Sequence, residues 1–395
     1  PMTEMELRTI VDVSHKDGVI EKEEREMIYN VVDFGDSQAK DVMVPRADMV
    51  TISETSTYQE VLENARKRMA PRCRVCPECN GIACKGVMPG PAGKGASRTF
   101  QRNVAWLGEH VKLEMDVTGG NQERNMEISL FGKTFAAPIF VAPIGLIPYT
   151  YTEDMTDRLY CDAVMLGAKA AGILAFGGGG PKAENFYEPL EAIRENGGWG
   201  IPTLKPWAVD VVKKRLKEVE AVHPFAFAMD IDSAGLPHAG LANPPMLLKT
   251  EEELREIAAA TDLPFIVKGI MTAEAAQKAV RAGAYAIVVS NHGGRVMDHG
   301  LSTAEVLPEI RAVVGTDTKI FVDGGVRTGD DVFKMLALGA DAVLIGRPYV
   351  IAAYGGGAEG VQLYTEKLKA ELKDAMTMTS CKSLQEITRD KIRLV

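Results

Sequence analysis

Residues 322–348 read VDGGVRTGDDVFKMLALGADAVLIGRP. The stretch opens at the end of a β-branched run, KIFVD (319–323), and turns through two glycines. A helix start follows at Thr328-Gly329-Asp330, then a second apolar run, DAVLIG (341–346), closed by Arg347. Strand, helix and strand in about thirty residues is a βαβ unit, and such a unit makes its two strands parallel.

Working back from this unit, the same alternation continues to about residue 103. Candidate strands are PIFVAP (138–143), GILAF (172–176), GIPTLK (200–205), FAFAMD (225–230), PFIVKG (264–269) and AYAIVVS (284–290), followed by the two already quoted. Helical stretches such as MTAEAAQKAVRAG (271–283) lie between them. Eight apolar strands with intervening helices imply a parallel sheet covered on both faces. Eight is also the number that closes a (β/α)8 barrel; a doubly wound open sheet is the competitor. The expected fold class is α/β, a (β/α)8 TIM barrel with a helical, cysteine-containing N-terminal extension.

The polar residues favour the barrel. Asp230 ends the fourth candidate strand, Lys268 the fifth, Asp323 the seventh and Gly346-Arg347 the eighth; His292 follows the sixth. A charge at the end of an apolar strand carries a desolvation cost unless it is partnered. Five consecutive strands with such a group at the same end point to a functional site, where barrel enzymes keep theirs. The glycines Gly324, Gly325 and Gly346, with Arg327 and Arg347, suit a phosphate, because backbone amides at helix starts attract anions. In VVSNHGGRVMD (288–298), His292 and Arg295 are separated only by glycines. Histidine is the side chain poised for proton transfer near neutrality, and arginine matches a carboxylate.

The bulk numbers narrow the class. The chain has 395 residues, 46% hydrophobic and 25% charged, as in an ordinary globular protein. A net charge of −9 gives a nucleic-acid partner no electrostatic support. The longest apolar stretch, APIFVAPIGLIPY, is cut by three prolines and is too short for a membrane span. The acidic start has no signal-peptide pattern, so a cytoplasmic location is expected.

Four of the six cysteines, Cys73, Cys76, Cys79 and Cys84, form Cys-x2-Cys-x2-Cys-x4-Cys, CRVCPECNGIAC. In a cytoplasmic chain such clustering indicates metal or redox chemistry before disulfides. The first three have ferredoxin-like spacing, so an iron–sulfur cluster is expected, with zinc as the alternative and unligated thiols as the plain one. Cys161 and Cys381 stand alone and suit buried thiols.

Three segments are expected: 1–56, a charge-dense helical appendage; 57–98, a helix, the cysteine cluster and a Gly/Pro/Ser linker; and 99–395, the barrel. In the first, EEREMI, FGDSQAKDVMVPR and MVTI resemble the cytoplasmic part of CorC/hemolysin-type proteins, leading into a CBS repeat. That resemblance stops near Tyr58, before one repeat is complete.

LPFIVKG, VVSNHGGRVMD, the quoted 322–348 unit and the tail ELKDAMTMTSCKSLQEI together resemble the FMN-dependent α-hydroxy-acid oxidases and dehydrogenases. The resemblance covers roughly 103–395, and with the cysteine segment it is nearest a clostridial subgroup of α-hydroxy-acid oxidizing proteins. It implies FMN, a small 2-hydroxy-acid substrate, an electron acceptor left open and a homo-oligomer such as a tetramer. It implies that His292 takes the substrate hydroxyl proton, that Arg295 holds the carboxylate and that Lys268 stabilises the reduced flavin. It places Asp230 on the catalytic histidine, with Asp232 as the alternative. Ala142, Pro143, Ile144, Thr203, Lys268, Ser290, Asp323, Gly324, Gly325, Arg327, Gly346 and Arg347 fall at flavin positions.

The chain departs from the family pattern in three places. DIDSAGLPHAG has no second carboxylate-binding arginine, and TLK stands where the family has a pattern like QLY, so Lys205 becomes a candidate substrate residue. No counterpart of the family's N-terminal substrate tyrosine is evident. Two other readings compete with hydroxy-acid oxidation: net-neutral chemistry on an FMN barrel, as in type 2 isopentenyl-diphosphate isomerases, and a regulatory or binding protein with a non-catalytic barrel.

Overall fold

The structure, a computed structural model, describes residues 4–17, 19–21, 24–25, 28–29, 52–53, 55–180, 184–237 and 239–395. It divides into two compact units, residues 1–49 and 50–395. In the first, the helix Glu4–Lys16 carries Asp12, which pairs with Arg25 at 2.7 Å. Arg8 and Arg25 each stack on the Tyr29 ring at 5.0 Å. Most of the stretch that resembles CorC-type proteins, 34–51, lies outside the described residues.

The second unit is a closed eight-stranded parallel barrel. Its strands are β1 (Ile139–Val141), β2 (Leu174–Gly177), β3 (Ile201–Leu204), β4 (Phe227–Asp230), β5 (Phe265–Ile270), β6 (Ala286–Val289), β7 (Lys319–Val322) and β8 (Ala342–Ile345). All eight fall where the alternation of apolar runs and helical stretches predicts. β8 pairs with β1, Val343 opposite Ile139, and closes the ring. Most strands are buried along their whole length, so they show continuous apolar runs rather than alternation. Helix starts are set locally: Thr250 with Glu253, Ser302 with Glu305 and Thr328 with Asp331 form capping boxes. A hairpin, Ile128–Leu130 with Lys133–Phe135, precedes the barrel, and Phe135 packs edge-on against Phe140 at 5.7 Å.

The cysteine segment belongs to this compact unit. Its leading helix, Tyr58–Met69, lies on the last helix, Arg347–Met378, with Tyr58 stacked on Tyr364 at 5.3 Å. Gly355 permits this approach, since a Cβ there would sit 2.0 Å from the Val61 carbonyl oxygen. The helix Arg98–His110 begins beside the barrel's C-terminal rim. Its first turn lacks a side-chain cap of its own. Asp298 supplies one, accepting from the amides of Ala96 (2.6 Å), Arg98 (2.7 Å) and Thr99 (3.3 Å). Among the described residues, no helix is long and apolar enough to cross a membrane.

Candidate active site

A cavity of about 1010 Å³ opens at the C-terminal ends of the strands. Its wall is built from Ala142–Leu146 after β1, Lys205 after β3, Asp230, Lys268, the His292–Arg295 loop and the glycine loops after β7 and β8. This is the end of the barrel at which loop variation makes active sites.

Strand register brings the charged groups together. Asp230 of β4 sits opposite Lys268 of β5, and register partners in a parallel pair share a face. Thr203 and Leu204 pair with Ala228 and Met229, which carries Lys205 to the level of Asp230. Lys205 Nζ donates to Asp230 Oδ2 at 2.8 Å, and Lys268 Nζ lies 3.2 Å from Oδ1. Lys268 also lies 3.7 Å from Asp323, which accepts from Ser290 Oγ at 2.9 Å. Two cations and two anions thus form a buried array across β3, β4, β5 and β7. Burial alone would raise the Asp230 carboxyl, but Lys205 and Lys268 outweigh it and hold it well below the usual carboxylate range. Burial likewise disfavours the Lys268 charge, yet Asp230, Asp323 and Asp232 hold it above the ordinary lysine value. Burial pushes Asp323 up, against the pull of Lys268 and Ser290.

His292 stands outside this array. Its Nδ1 lies 3.1 Å from Oδ1 of Asp232, on the short 3-10 turn Ile231–Gly235 after β4. A carboxylate can only accept, so Nδ1 carries the proton and Nε2 is the free basic nitrogen. The loop is fixed from behind: Asn291 and Asn103 exchange two amide hydrogen bonds, at 2.8 and 2.9 Å. Gly294, at φ +79°, lies against the Phe100 backbone, where a Cβ would come within 2.5 Å of the amide nitrogen. The glycines between His292 and Arg295 therefore let the helix Arg98–His110 close on the loop.

A strap, residues 70–97, lies over the mouth. Lys94 Nζ donates to the carbonyls of Gly235 and Val296, both at 2.9 Å, tying the β4 loop to the β6 loop. Arg295 donates to the Gly90 carbonyl at 2.7 Å, Arg347 to Pro91 at 2.8 Å and Arg327 to Cys79 at 2.9 Å. Arg347 also stacks on Phe100 at 3.8 Å. Burial, and then Arg347, lower Arg295 to about 10, so it remains a cation at neutral pH.

His292, Asp230, Lys268, Arg295, Lys205, Ala142, Pro143, Ile144, Asp323, Gly324, Gly325, Arg327, Gly346 and Arg347 all line this one cavity. Thr203 and Ser290 do not; both are buried behind it. Two assignments change. Asp230 does not reach His292; Asp232 does, because Asp230 faces inward with its register partner while the turn after β4 carries Asp232 outward. Lys205 has its ammonium on Asp230. The sequence reading missed Phe100, Asn103, Tyr151 and Leu236, which also form the wall. Tyr151 lies in IPYTYT, a stretch with no motif to mark it. Asp230, Asp232 and His292 are close enough together to ligate an ion, but the two ammonium groups on Asp230 oppose a cation there.

The cavity fits FMN. Oδ1 of Asp323, in the cavity wall, is buried with no hydrogen-bond partner within the protein. Such an atom is costly unless something else partners it. The glycine loops with Arg327 and Arg347 suit a phosphate, and Lys268 suits an anionic ring edge.

The four clustered cysteines line a second cavity of about 450 Å³, which shares Phe100, Tyr151 and Arg347 with the first. All six cysteines are free thiols. Burial pushes the Cys73 thiol up to about 11 and raises Cys84. Burial also raises Cys161 well above the usual thiol value, as befits an inert core thiol.

Fold and site together define a (β/α)8 barrel with a histidine–carboxylate pair and glycine loops around one cavity at the strand ends. A family model for FMN-dependent dehydrogenases matches residues 240–394. The L-lactate dehydrogenase of Vibrio parahaemolyticus serotype O3:K6 is 32% identical over 367 aligned positions, covering 76% of this chain and 92% of that protein. The L-lactate dehydrogenase of Actinobacillus pleuropneumoniae serotype 3 is 32% identical over 408 positions, covering 86% and 98%. A mandelate oxidase structure with 3,3-difluoro-2-hydroxy-3-phenylpropionic acid superposes with a TM-score of 0.70 at 28% identity, over 86% of this chain and 99% of that one. The chain belongs to the family of FMN-dependent α-hydroxy-acid oxidases and dehydrogenases, and it is an oxidoreductase of that class.

Proposed function

We propose that the protein oxidises a small 2-hydroxy acid to the 2-oxo acid, with His292 as the base and Arg295 as the carboxylate anchor. The observation that carries this is the His292–Asp232 pair at 3.1 Å, with His292 in the same cavity wall as Arg295 and Lys268. Bound FMN supplies the acceptor for the electron pair that leaves Cα. The protein's own residues do the rest. Nε2 of His292 takes the hydroxyl proton, and Asp232 orients the ring and stabilises the imidazolium that forms. Arg295 holds the carboxylate and so aims the Cα–H bond. Lys268, kept charged by Asp230 and Asp323, provides a fixed cation where negative charge develops. The strap excludes water.

Asp323, the glycine pairs and Arg347 hold the cofactor's polar chain, and Thr203 and Ser290 support it from behind. The same proposal divides the chain into a helical appendage (1–56), a cysteine segment (57–98) and an FMN barrel (99–395), in a cytoplasmic homo-oligomer. It adds a metal centre on Cys73, Cys76, Cys79 and Cys84, iron–sulfur or zinc.

Arg295→Leu tests the anchor. KM for a 2-hydroxy acid should rise about 100-fold, as loss of a charge-assisted pair implies, while turnover of the matching 2-hydroxy amide changes little. Equal losses on acid and amide would contradict the assignment.

A further inference from the structure

We propose that Cys73, Cys76, Cys79 and Cys84 hold an iron–sulfur cluster rather than zinc, and that this cluster is the exit for electrons taken from the substrate. The second half of this proposal rests on the hydroxy-acid reading above; the first half does not.

The cysteines come from one twelve-residue loop and all four line the same small cavity. None is in a disulfide. A single zinc ion about 2.3 Å from each sulfur would draw tetrahedral thiolates to roughly 3.8 Å from one another. Among the described residues, the only three ligating groups within 4.8 Å of one another are Asp230, Asp232 and His292. No three of the four sulfurs lie within 4.8 Å of one another, wider than the spacing of thiolates on one zinc ion, and a cluster of several atoms suits that wider spacing.

The surroundings suit an anionic, solvent-shielded group. Phe100, Pro91 and Ile351 supply apolar wall, and Arg347 supplies a half-buried cation. Gly81, between Cys79 and Cys84, lies against the Phe100 ring, which a Cβ would meet at 2.6 Å. Arg327 holds the Cys79 carbonyl at 2.9 Å, so the loop is anchored to the glycine loop after β7. Phe100, Tyr151 and Arg347 line both cavities, so a single layer of side chains separates them.

The electron count is consistent. Oxidation of one 2-hydroxy acid breaks its Cα–H and O–H bonds, forms the C=O bond, and releases two electrons and two protons. A cluster passes electrons singly. The electrons therefore leave to two molecules of a one-electron carrier, and the protons leave to solvent, one by way of His292. On this account molecular oxygen is not the physiological acceptor.

The test uses the full-length protein purified without oxygen. Metal and sulfide analysis should give iron and acid-labile sulfide in equal amounts, about two or four of each per chain for a four-cysteine cluster. Addition of a 2-hydroxy acid that bleaches the flavin should produce the electron paramagnetic resonance signal of a reduced cluster, as dithionite does. Cys76→Ser should lose the iron and that signal while FMN content stays the same. Stoichiometric zinc without iron, or no metal, would overturn the site. A flavin that bleaches while the cluster stays oxidised would overturn the electron exit. Failure of every 2-hydroxy acid to bleach the flavin would defeat the functional reading instead, and the iron and sulfide content would still decide the site.

Discussion

At the barrel mouth, contacts run from side chain to side chain: Lys205 to Asp230, Lys268 to Asp230 and Asp323, His292 to Asp232. In the strap over it, they run from a side chain to a backbone carbonyl: Arg327 to Cys79, Arg295 to Gly90, Arg347 to Pro91, Lys94 to Gly235 and Val296. The first kind fixes residue identity at both ends of every contact. The second fixes it at one end only, because every residue carries a carbonyl. The mouth is thus chemically specified, and the strap is specified mainly in its path.

The sharpest way to break this contrast is at the mouth. His292→Gln should lower the rate of flavin reduction by roughly 10²–10⁴-fold, the usual worth of a general base. Rapid-mixing absorbance would measure it, and FMN content should be unchanged.

Lys268→Met comes next. It leaves two buried carboxylates short of a cation and should cost about 3–5 kcal/mol of stability in urea unfolding. The array also has a pH signature. Asp230 is depressed in the folded state, so its contribution is complete above its unfolded value of about 3.9 and fades as pH falls through the folded value. Lys268 is raised, so its contribution is complete below about 10.4 and fades as pH rises further. Stability attributable to the pair should therefore be flat between these limits, and Lys268→Met should remove it throughout.

Where mouth and strap meet, Asp298→Ala should cost about 0.5–2 kcal/mol, the worth of a helix cap. Burial alone would raise Asp298, but backbone amides lower it. The difference between wild type and variant should therefore shrink as pH falls below about 3.9. A difference that persists in acid would mean that packing, not the cap, is responsible. The smallest effect is expected on the surface. Arg102→Ala removes the half-exposed pair with Glu305 and should shift stability by less than about 1 kcal/mol in the same unfolding assay.

The same contrast explains what was legible in the sequence. All eight strands could be read, because a fully buried parallel strand is a continuous apolar run. His292, Arg295, Lys268 and Asp323 could be read because each lies near the C-terminal end of a strand or just after it. Asp232 was ranked below Asp230 because the turn after β4, not the strand, decides which carboxylate faces the imidazole. The partner of Lys205 could have been found by setting β3, β4 and β5 level, since Lys205, Asp230 and Lys268 are each the polar residue at their strand's end. The strap's contacts could not, since carbonyl acceptors leave no mark on residue type. Tyr151 and Phe100 reach the site from segments that have no periodicity to place them.

In the proposed reaction the barrel mouth takes the elements of hydrogen from a 2-hydroxy acid. The most direct test is a single-turnover reaction without oxygen, using FMN-loaded protein and a 2-hydroxy acid with hydrogen or deuterium at Cα. Expected are flavin bleaching, one 2-oxo acid formed per electron pair taken up by the protein, and a slower reaction with deuterium. Bleaching without 2-oxo acid, or no bleaching with any 2-hydroxy acid, would contradict the proposed reaction.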